Sequence, residues 1–353
     1  MTSKKRVAVA LSGGVDSAVT AALLLEQGYD VVGITGKMTC DKDSDIVVAN
    51  AKKVADKLGI EHYAYDATKE FHKRVIEYFE NSYRAGETPN PCMMCNKYIK
   101  WGSLFDYCTK ELGADFIATG HYANIKYSDG YYKLYPAADA GKDQLYFLFL
   151  LSQEKLAKTL FPLSEFRKDE VRKLAEKYDL PPKSAKESQD ICFIKPPMTT
   201  KKYLNEIMTS HKGDFIDMST GKVLGHHDGY WQYTIGQRKG IGIAAPEPLY
   251  VTGIIPDKNI VLVGYKDKLF SKELSITQMH WSYPQSSSEF DANVKIRYNM
   301  NAVKAHITKS ENGAIIDFYE PVSAITSGQA CVLYDLSDGH LLGGGVITRE
   351  QDK

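Results

Sequence analysis

At 353 residues the chain exceeds one comfortable hydrophobic core, so two or three domains are expected. Its 44 basic and 44 acidic residues balance, which argues against nucleic-acid binding by bulk charge but leaves room for a local basic track. No apolar run approaches the roughly 18 residues of a membrane helix, and the basic start runs straight into a strand-like segment without a cleavage site, so a cytoplasmic protein with no membrane partner is expected.

Residues 7–11 form a short apolar run followed by a glycine-rich turn, and residues 18–27 have helical spacing that stops at Gly28. A second strand is expected over 31–35, a helix over 45–58 stopped by Gly59, a third strand over 62–65 and a helix over 69–83. Residues 97–112 read as a helix ending at Gly113, and 116–119 as a fourth strand. This alternation predicts an α/β fold with a parallel sheet covered on both faces, whose ligands bind beyond the carboxyl ends of the strands. Helix is expected to continue over 153–178 until Leu180-Pro181-Pro182, because proline lacks an amide hydrogen and clashes with the preceding turn. Residues 183–202 are irregular and polar. Beyond Gly213 short β-rich runs follow at 250–255, 260–263, 302–308 and 314–318, a texture that suggests one or two small β-barrels. The expected division is a catalytic domain over 1–200, a central β-rich domain over 201–280 and a C-terminal β-barrel over 281–353.

Ser12-Gly13-Gly14-Val15-Asp16-Ser17 joins the first strand to the first helix. Backbone amides at a helix N-terminus, with the helix dipole behind them, make an anion site. Gly13 and Gly14 permit a close backbone approach, Ser12 and Ser17 add hydroxyls, and Asp16 could hold Mg²⁺ or cap the helix. A bare Gly-Gly would be a plain tight turn. The full string is neither of the two common nucleotide fingerprints. It matches S-G-G-x-D-S, the pyrophosphate loop of the N-type ATP pyrophosphatases, which cleave ATP to AMP and pyrophosphate.

Six cysteines are too few for a secreted disulfide scaffold of this size. Cys108 and Cys331 lie in helix-like and strand-like stretches and read as buried apolar residues. Cys92-x-x-Cys95 follows Thr88-Pro89-Asn90-Pro91 and precedes the 97–112 helix, with Asn96 as a candidate cap. Cysteines at a helix N-terminus tend toward a depressed thiolate pKa. Cys192, in Ser188-Gln189-Asp190-Ile191-Cys192-Phe193, lies in the irregular link, where a mobile cysteine can receive a group at one place and deliver it at another. The alternative for the Cys-x-x-Cys pair is half of a structural zinc site, although a second such pair is missing.

With these pieces in place the chain resembles the tRNA-specific 2-thiouridylases over nearly its whole length. The matching segments, in order, are the S-G-G-x-D-S loop, Thr88-Pro89-Asn90-Pro91 with Cys95-Asn96-Lys97, Ala118-Thr119-Gly120-His121-Tyr122-Ala123, Lys142-Asp143-Gln144, Ile191-Cys192-Phe193, the run from Tyr233 through Thr234 to Gly240, Arg297-Tyr298 and Gly328-Gln329. The resemblance implies ATP-dependent thiolation at carbon 2 of the wobble uridine in tRNAs for Lys, Glu and Gln. ATP and Mg²⁺ would adenylate the carbonyl oxygen, and a sulfur-relay protein fed by a cysteine desulfurase would load a persulfide. By that likeness Cys192 would carry the persulfide and Cys95 would help release the sulfur through a transient disulfide. ATP contacts would fall on Ala10, Leu11, Ser12, Gly13, Gly14, Val15, Asp16, Ser17, Gly36 and Gly120. tRNA contacts would fall on Asn90, Pro91, Cys92, His121, Lys142, Asp143, Gln144, Arg297, Tyr298 and Gln329. The implied fold is an α/β ATP domain followed by two β-rich barrel-like domains.

The residue chemistry is compatible. A persulfide stays anionic near neutral pH more readily than a thiol, and a wobble base must leave its stack to be modified. Lys142, Arg297 and residues 199–202 offer phosphate contacts without a high net charge. His121 and Tyr122 would either engage a base or pack as a strand-end pair.

Two positions depart from the family pattern. Many members carry Asp, the expected general base, where this chain has Cys92, and a longer apolar residue where it has Gly36. Cys92 raises an alternative for the sulfur step, in which Cys92, Cys95 and Cys192 ligate a 4Fe-4S cluster whose fourth iron holds sulfide. The competing function classes are a pyrophosphatase-loop amidotransferase or ligase acting on a small molecule, and a non-catalytic tRNA-binding protein. The cysteine sites and the β-rich tail argue against the first, and the intact Asp16, Ser17, Cys95 and Cys192 against the second.

Overall fold

A computed structural model describes residues 4–181 and 191–348. Its first half is built on a five-stranded sheet: β1 (Arg6–Ala10), β2 (Asp30–Lys37), β3 (His62–Asp66), β4 (Phe116–Ala118) and β7 (Thr159–Leu160). The order is β3-β2-β1-β4-β7 and every pairing is parallel. The strand order reverses between β1 and β4, and their carboxyl ends open the crevice where such sheets bind ligands. Helix α1 (Val15–Glu26) buries its apolar side on this sheet, and α2 (Lys42–Leu58) starts on Asp41, whose side chain accepts from the Ser44 amide, and ends on Gly59 in the left-handed region.

One expectation needs correction here. The stretch 153–178 is not one helix: Gln153–Ala157 is a short turn of helix, β7 follows, and Lys168–Lys177 is a separate helix. An antiparallel hairpin of β5 (Asn124–Ser128) and β6 (Tyr131–Tyr135) also sits outside the main sheet.

Four strands, β8 (Gly213–Asp217), β9 (Val223–His227), β10 (Tyr250–Ile255) and β11 (Ile260–Gly264), make a central sheet in the order β10-β11-β8-β9. Its core is not its own alone, because Phe79 and Tyr83 from the Glu77–Arg84 helix pack into it. The last six strands are β12 (Phe270–Trp281), β13 (Glu289–Lys295), β14 (Val303–Lys309), β15 (Gly313–Ser323), β16 (Ala330–Tyr334) and β17 (Leu341–Ile347), which close into an antiparallel barrel. The expected boundary at 280 therefore cuts through β12, and the barrel begins at Phe270. Of the two barrel-like domains expected, this one closes, while the central sheet has four strands and does not. No helix among the described residues is long and apolar enough to cross a membrane.

The barrel seals one side of the first domain. Ala330, Val332, Tyr334 and Leu341 belong to the same apolar core as Trp101, Tyr146 and Phe149, and the Tyr146 hydroxyl donates to the Ala330 carbonyl at 2.8 Å. The turn before β16 reaches the loop that precedes Cys92. Thr88 donates its amide to the Ser327 carbonyl at 2.9 Å, and the Gln329 amide donates to the carbonyls of Thr88 at 2.8 Å and Pro89 at 3.3 Å.

Candidate active site

The S-G-G-x-D-S loop leaves β1 and turns into α1 with Gly14 as the N-cap and no capping side chain, so the first-turn amides have no partner within the helix. Gly13 holds φ +74, and a Cβ there would stand 2.8 Å from Asn50 Cβ, which is why glycine is required. Ser17 ties the loop: its hydroxyl donates to the Gly14 carbonyl at 3.0 Å and accepts from the Ser12 amide at 3.2 Å. Gly120, just after β4, lies so close that a Cβ would be 2.9 Å from both Asp16 Cβ and the Ser17 amide nitrogen. The two strand ends thus meet at one point.

Asp16 does not cap the helix, as the sequence had allowed. The Lys168 ammonium donates to both of its oxygens at 2.7 Å, and the Tyr122 hydroxyl donates to Oδ1 at 3.0 Å. Tyr122 is therefore a packed strand-end residue. Lys168, at 8% exposure, went unnoticed in the sequence: it lies 152 positions from its partner, and no local pattern announces it.

From this loop a cavity of about 850 Å³ runs to the cysteines. Ala10, Leu11, Ser12, Asp16 and Ser17 line one end, together with Gly36 and Gly120. Gly36 is backed by Met38, whose methyl would stand 2.9 Å from a Cβ at position 36. Met38 thereby fills the volume that a longer residue at 36 would occupy. Pro91, Cys92, Cys95, Gln144 and Cys192 line the other end.

The cysteine helix begins earlier than its sequence suggested. Asn90 is the N-cap, Pro91 stands at the first position, and Cys92 lies inside the Pro91–Met94 turn. Asn96 is not a cap; it is buried, and its amide donates to the Phe147 carbonyl at 2.9 Å. From Cys95 the helix widens to i→i+5 bonding, a form that clusters at functional sites, and it kinks at Gly102, whose backbone is not helical (φ -105, ψ -112). That pitch brings residue 100 round to the side of residue 95. Cys192 arrives on a separate segment. Phe193 docks edge-on against Phe79 (5.3 Å between centroids) and Phe71 (5.9 Å), while Lys195 pairs with Asp43 at 3.3 Å and Asp41 at 3.7 Å. Residues 188–190 of this motif lie outside the described residues.

All three thiols are free. The expected depression of thiolate pKa is reversed. Burial raises Cys92 and Cys95, and it pushes Cys192 up to about 12, with the neighbouring thiols adding to it. Cys92 and Cys192 are solvent-exposed, yet the protein packed around them outweighs a dipole built on a single short turn. The opposing influence on all three is Lys100, a cavity residue that the sequence did not mark. Its ammonium donates to His121 Nε2 at 3.3 Å, and His121 Nδ1 faces the Thr119 hydroxyl at 2.7 Å. Burial first, then Lys100, hold His121 well below its usual pKa, so the ring is neutral. His121 is packed near Trp101 and Phe161 and also reaches the cavity, so both readings offered for it apply in part.

The remaining expected RNA contacts sit around this core. Lys142 lies in the turn that leads to Asp143, and Asp143 accepts from the amides of Ala137 and Leu145 at 2.9 and 3.1 Å. Gln144 Oε1 accepts from the Tyr122 amide at 3.1 Å. Arg297 donates to the Ser323 carbonyl at 3.1 Å, and Tyr298 packs 4.7 Å from Phe147. Gln329 is held by the Thr88–Pro89 carbonyls already described.

Comparison with known proteins follows the same plan. Residues 5–196 match the family described as tRNA methyl transferase HUP domain, 201–265 its PRC-barrel domain, and 271–347 an aminomethyltransferase beta-barrel domain. The tRNA-specific 2-thiouridylase MnmA of a Picosynechococcus species is 43% identical, covering 97% of this chain and 98% of that protein. The enzyme of the same name from Carboxydothermus hydrogenoformans is 42% identical over 98% of each chain, and that of a Synechocystis species 42% identical over 99% and 98%. Among solved structures, the U34-tRNA thiolase NcsA from Methanococcus maripaludis with its [4Fe-4S] cluster gives a TM-score of 0.34 at 23% identity, over 57% of this chain and 64% of that one, too slight a likeness to argue from. With full-length similarity and a pyrophosphatase loop opening onto paired cysteine segments, the chain belongs to the tRNA-specific 2-thiouridylase family.

Proposed function

We propose that the chain is a tRNA-uridine 2-sulfurtransferase, which converts the wobble uridine of tRNAs of the Lys, Glu and Gln type to 2-thiouridine with release of AMP and pyrophosphate. The observation that carries this reading is the continuity of one cavity from the anion loop to three thiols on two separate segments. Only a reaction that couples ATP cleavage to sulfur chemistry has a use for both ends. The methyl-transfer wording of the matched family gives the cysteines and the pyrophosphatase loop no such role.

ATP seats its phosphates on the loop amides, brings Mg²⁺ with it, and places its adenine toward Gly36 and Met38. The uridine O2 attacks the α-phosphorus, N3 gives up its proton, and pyrophosphate leaves. A sulfur-relay protein or cysteine desulfurase loads Cys192 as a persulfide, whose terminal sulfur attacks C2; the C2–O bond breaks and AMP departs with the oxygen. Cys95 thiolate then attacks the Cys192 sulfur. The electron pair of the broken S–S bond passes to the sulfur on C2, N3 regains a proton, and a Cys95–Cys192 disulfide remains for a thiol reductant to reset. The tRNA contacts assigned in this reading are Asn90, Pro91, Cys92, His121, Lys142, Asp143, Gln144, Arg297, Tyr298 and Gln329, and the reaction is placed in the cytoplasm.

A second reading of the sulfur step rests on Cys92, a third thiol at the same cavity for which the persulfide scheme has no use. Cys92, Cys95 and Cys192 fit a three-thiolate donor set, so a 4Fe-4S cluster held there would supply an open iron for sulfide. Anaerobic purification separates the readings. A colourless, iron-free protein that thiolates tRNA from a persulfide donor supports the relay; a brown protein that loses iron on Cys92→Ser supports the cluster. Under the relay reading, Cys192→Ser is expected to abolish 2-thiouridine, measured by mass spectrometry of digested tRNA, while AMP still forms. Unchanged thiolation by that variant overturns the assignment of Cys192.

A further inference from the structure

We propose that Lys100 is a catalytic residue of the sulfur-transfer half of the reaction, its ammonium serving as counter-ion to the anionic sulfur at C2 and to the departing AMP phosphate. The inference rests on the thiolation reading above and assigns a role to a residue outside the set expected from the sequence.

The argument starts from charge. Lys100 is half-buried at the cavity wall, and among the described residues no carboxylate lies within ion-pair distance of it. Its hydrogen-bond partner is His121, a ring kept neutral. Beside a neutral partner, and with no carboxylate among the described residues in ion-pair reach, this half-buried ammonium keeps its charge available to a ligand anion. Such a cation is set for an arriving anion. The phosphate loop has a different counter-charge arrangement, with Lys168 bound to Asp16 on both oxygens, so the two cations are not interchangeable.

Position supports the same assignment. The i→i+5 pitch from Cys95 to Ser103 turns Lys100 toward the thiols, and its charge acts on Cys92, Cys95 and Cys192 alike. His121 holds the ammonium in place through Nε2 and is itself fixed by Thr119. No bond to Lys100 forms or breaks. When persulfide sulfur attacks C2 and the C2–O bond breaks, negative charge moves from sulfur to phosphate, and both atoms lie within the field of one fixed cation. Preorganised charge of this kind is worth most where water is excluded.

The test separates the two halves in a single turnover. Enzyme preloaded with inorganic polysulfide is mixed with ATP and unmodified tRNA, and AMP and 2-thiouridine are followed together. Lys100→Met is expected to lower the rate of 2-thiouridine formation by about 10²-fold, and by at least ten times more than it lowers the tRNA-dependent consumption of ATP. Lys100→Arg keeps the charge and is expected to recover a measurable part of that loss, with the melting temperature of each variant confirming that it folds. Equal losses in both halves, or a Lys100→Met enzyme that thiolates at the unmodified rate, overturn the proposal. If unaltered enzyme consumes no ATP with tRNA, the function proposed above fails first and takes this inference with it.

Discussion

Replacing Lys168 with Met would leave the Asp16 carboxylate with the Tyr122 hydroxyl as its remaining described donor. Breaking a buried pair by removing one partner costs roughly 3–5 kcal/mol, but the Asp16 side chain keeps 31% of its surface, so a loss of about 1–3 kcal/mol is expected in a denaturant titration. ATP-dependent AMP formation should fall with it, and Lys168→Arg should retain most of both. The contrast between Asp16 and Lys168 marks how far single residues are legible. Asp16 stands in a six-residue string whose chemistry is local. Lys168 and Lys100 act through partners brought by the fold, and a lone lysine in a polar helix gives no sign of that. A change of pitch hid Lys100 further, since five-residue spacing does not face one way on an ordinary α-helix.

On the barrel, β13, β14 and β15 are joined at their outer face by Asp291, which accepts from Lys304 at 2.9 Å, the His306 ring at 3.1 Å and the Tyr319 hydroxyl at 2.9 Å. Hydrogen bonds from these three, Lys304 foremost, lower Asp291 to about 2. A carboxylate with a depressed folded-state pKa stabilises the fold above its unfolded value, near pH ~4, and that stabilisation is lost as pH falls from there through 2. Thermal midpoints measured from pH 5 down to 2 should therefore drop less steeply for Asp291→Asn than for the unaltered chain. Elements of ordinary length were the most legible part of the fold: 250–255, read as a short β-rich run, is β10 with the same ends, and Gly59 stops α2 as read. Short elements escaped. β7 has two residues, too few for a period to register, and it vanished into an apparent helix. The early start at Pro91 was available in principle, because Asn followed by Pro is an N-cap and first-turn signal, but the Cys-x-x-Cys pair drew the boundary downstream.

Across the whole molecule the barrel and the first domain meet at the turn through Gly328, which holds φ +85 and would place a Cβ 2.9 Å from Glu87 Cβ and 3.1 Å from the Thr88 carbonyl oxygen. Gly328→Ala is expected to cost about 1–3 kcal/mol and to slow thiolation beyond what the loss of folded protein explains, which activity per folded molecule, calibrated by near-ultraviolet circular dichroism, would resolve. Unchanged specific activity would mean that the junction is mere packing. The same junction explains why Gln329, read as an RNA contact, already spends its amide on the loop ahead of Cys92. That clasp ties the barrel to the loop ahead of the helix that carries Cys92 and Cys95. On the proposed function, an RNA bound to the barrel would reach the reacting atoms through these hydrogen bonds. Under that reading, discrimination between tRNAs would be exercised on the speed of the chemistry after binding, and a poor substrate would be held firmly and still pass through unmodified.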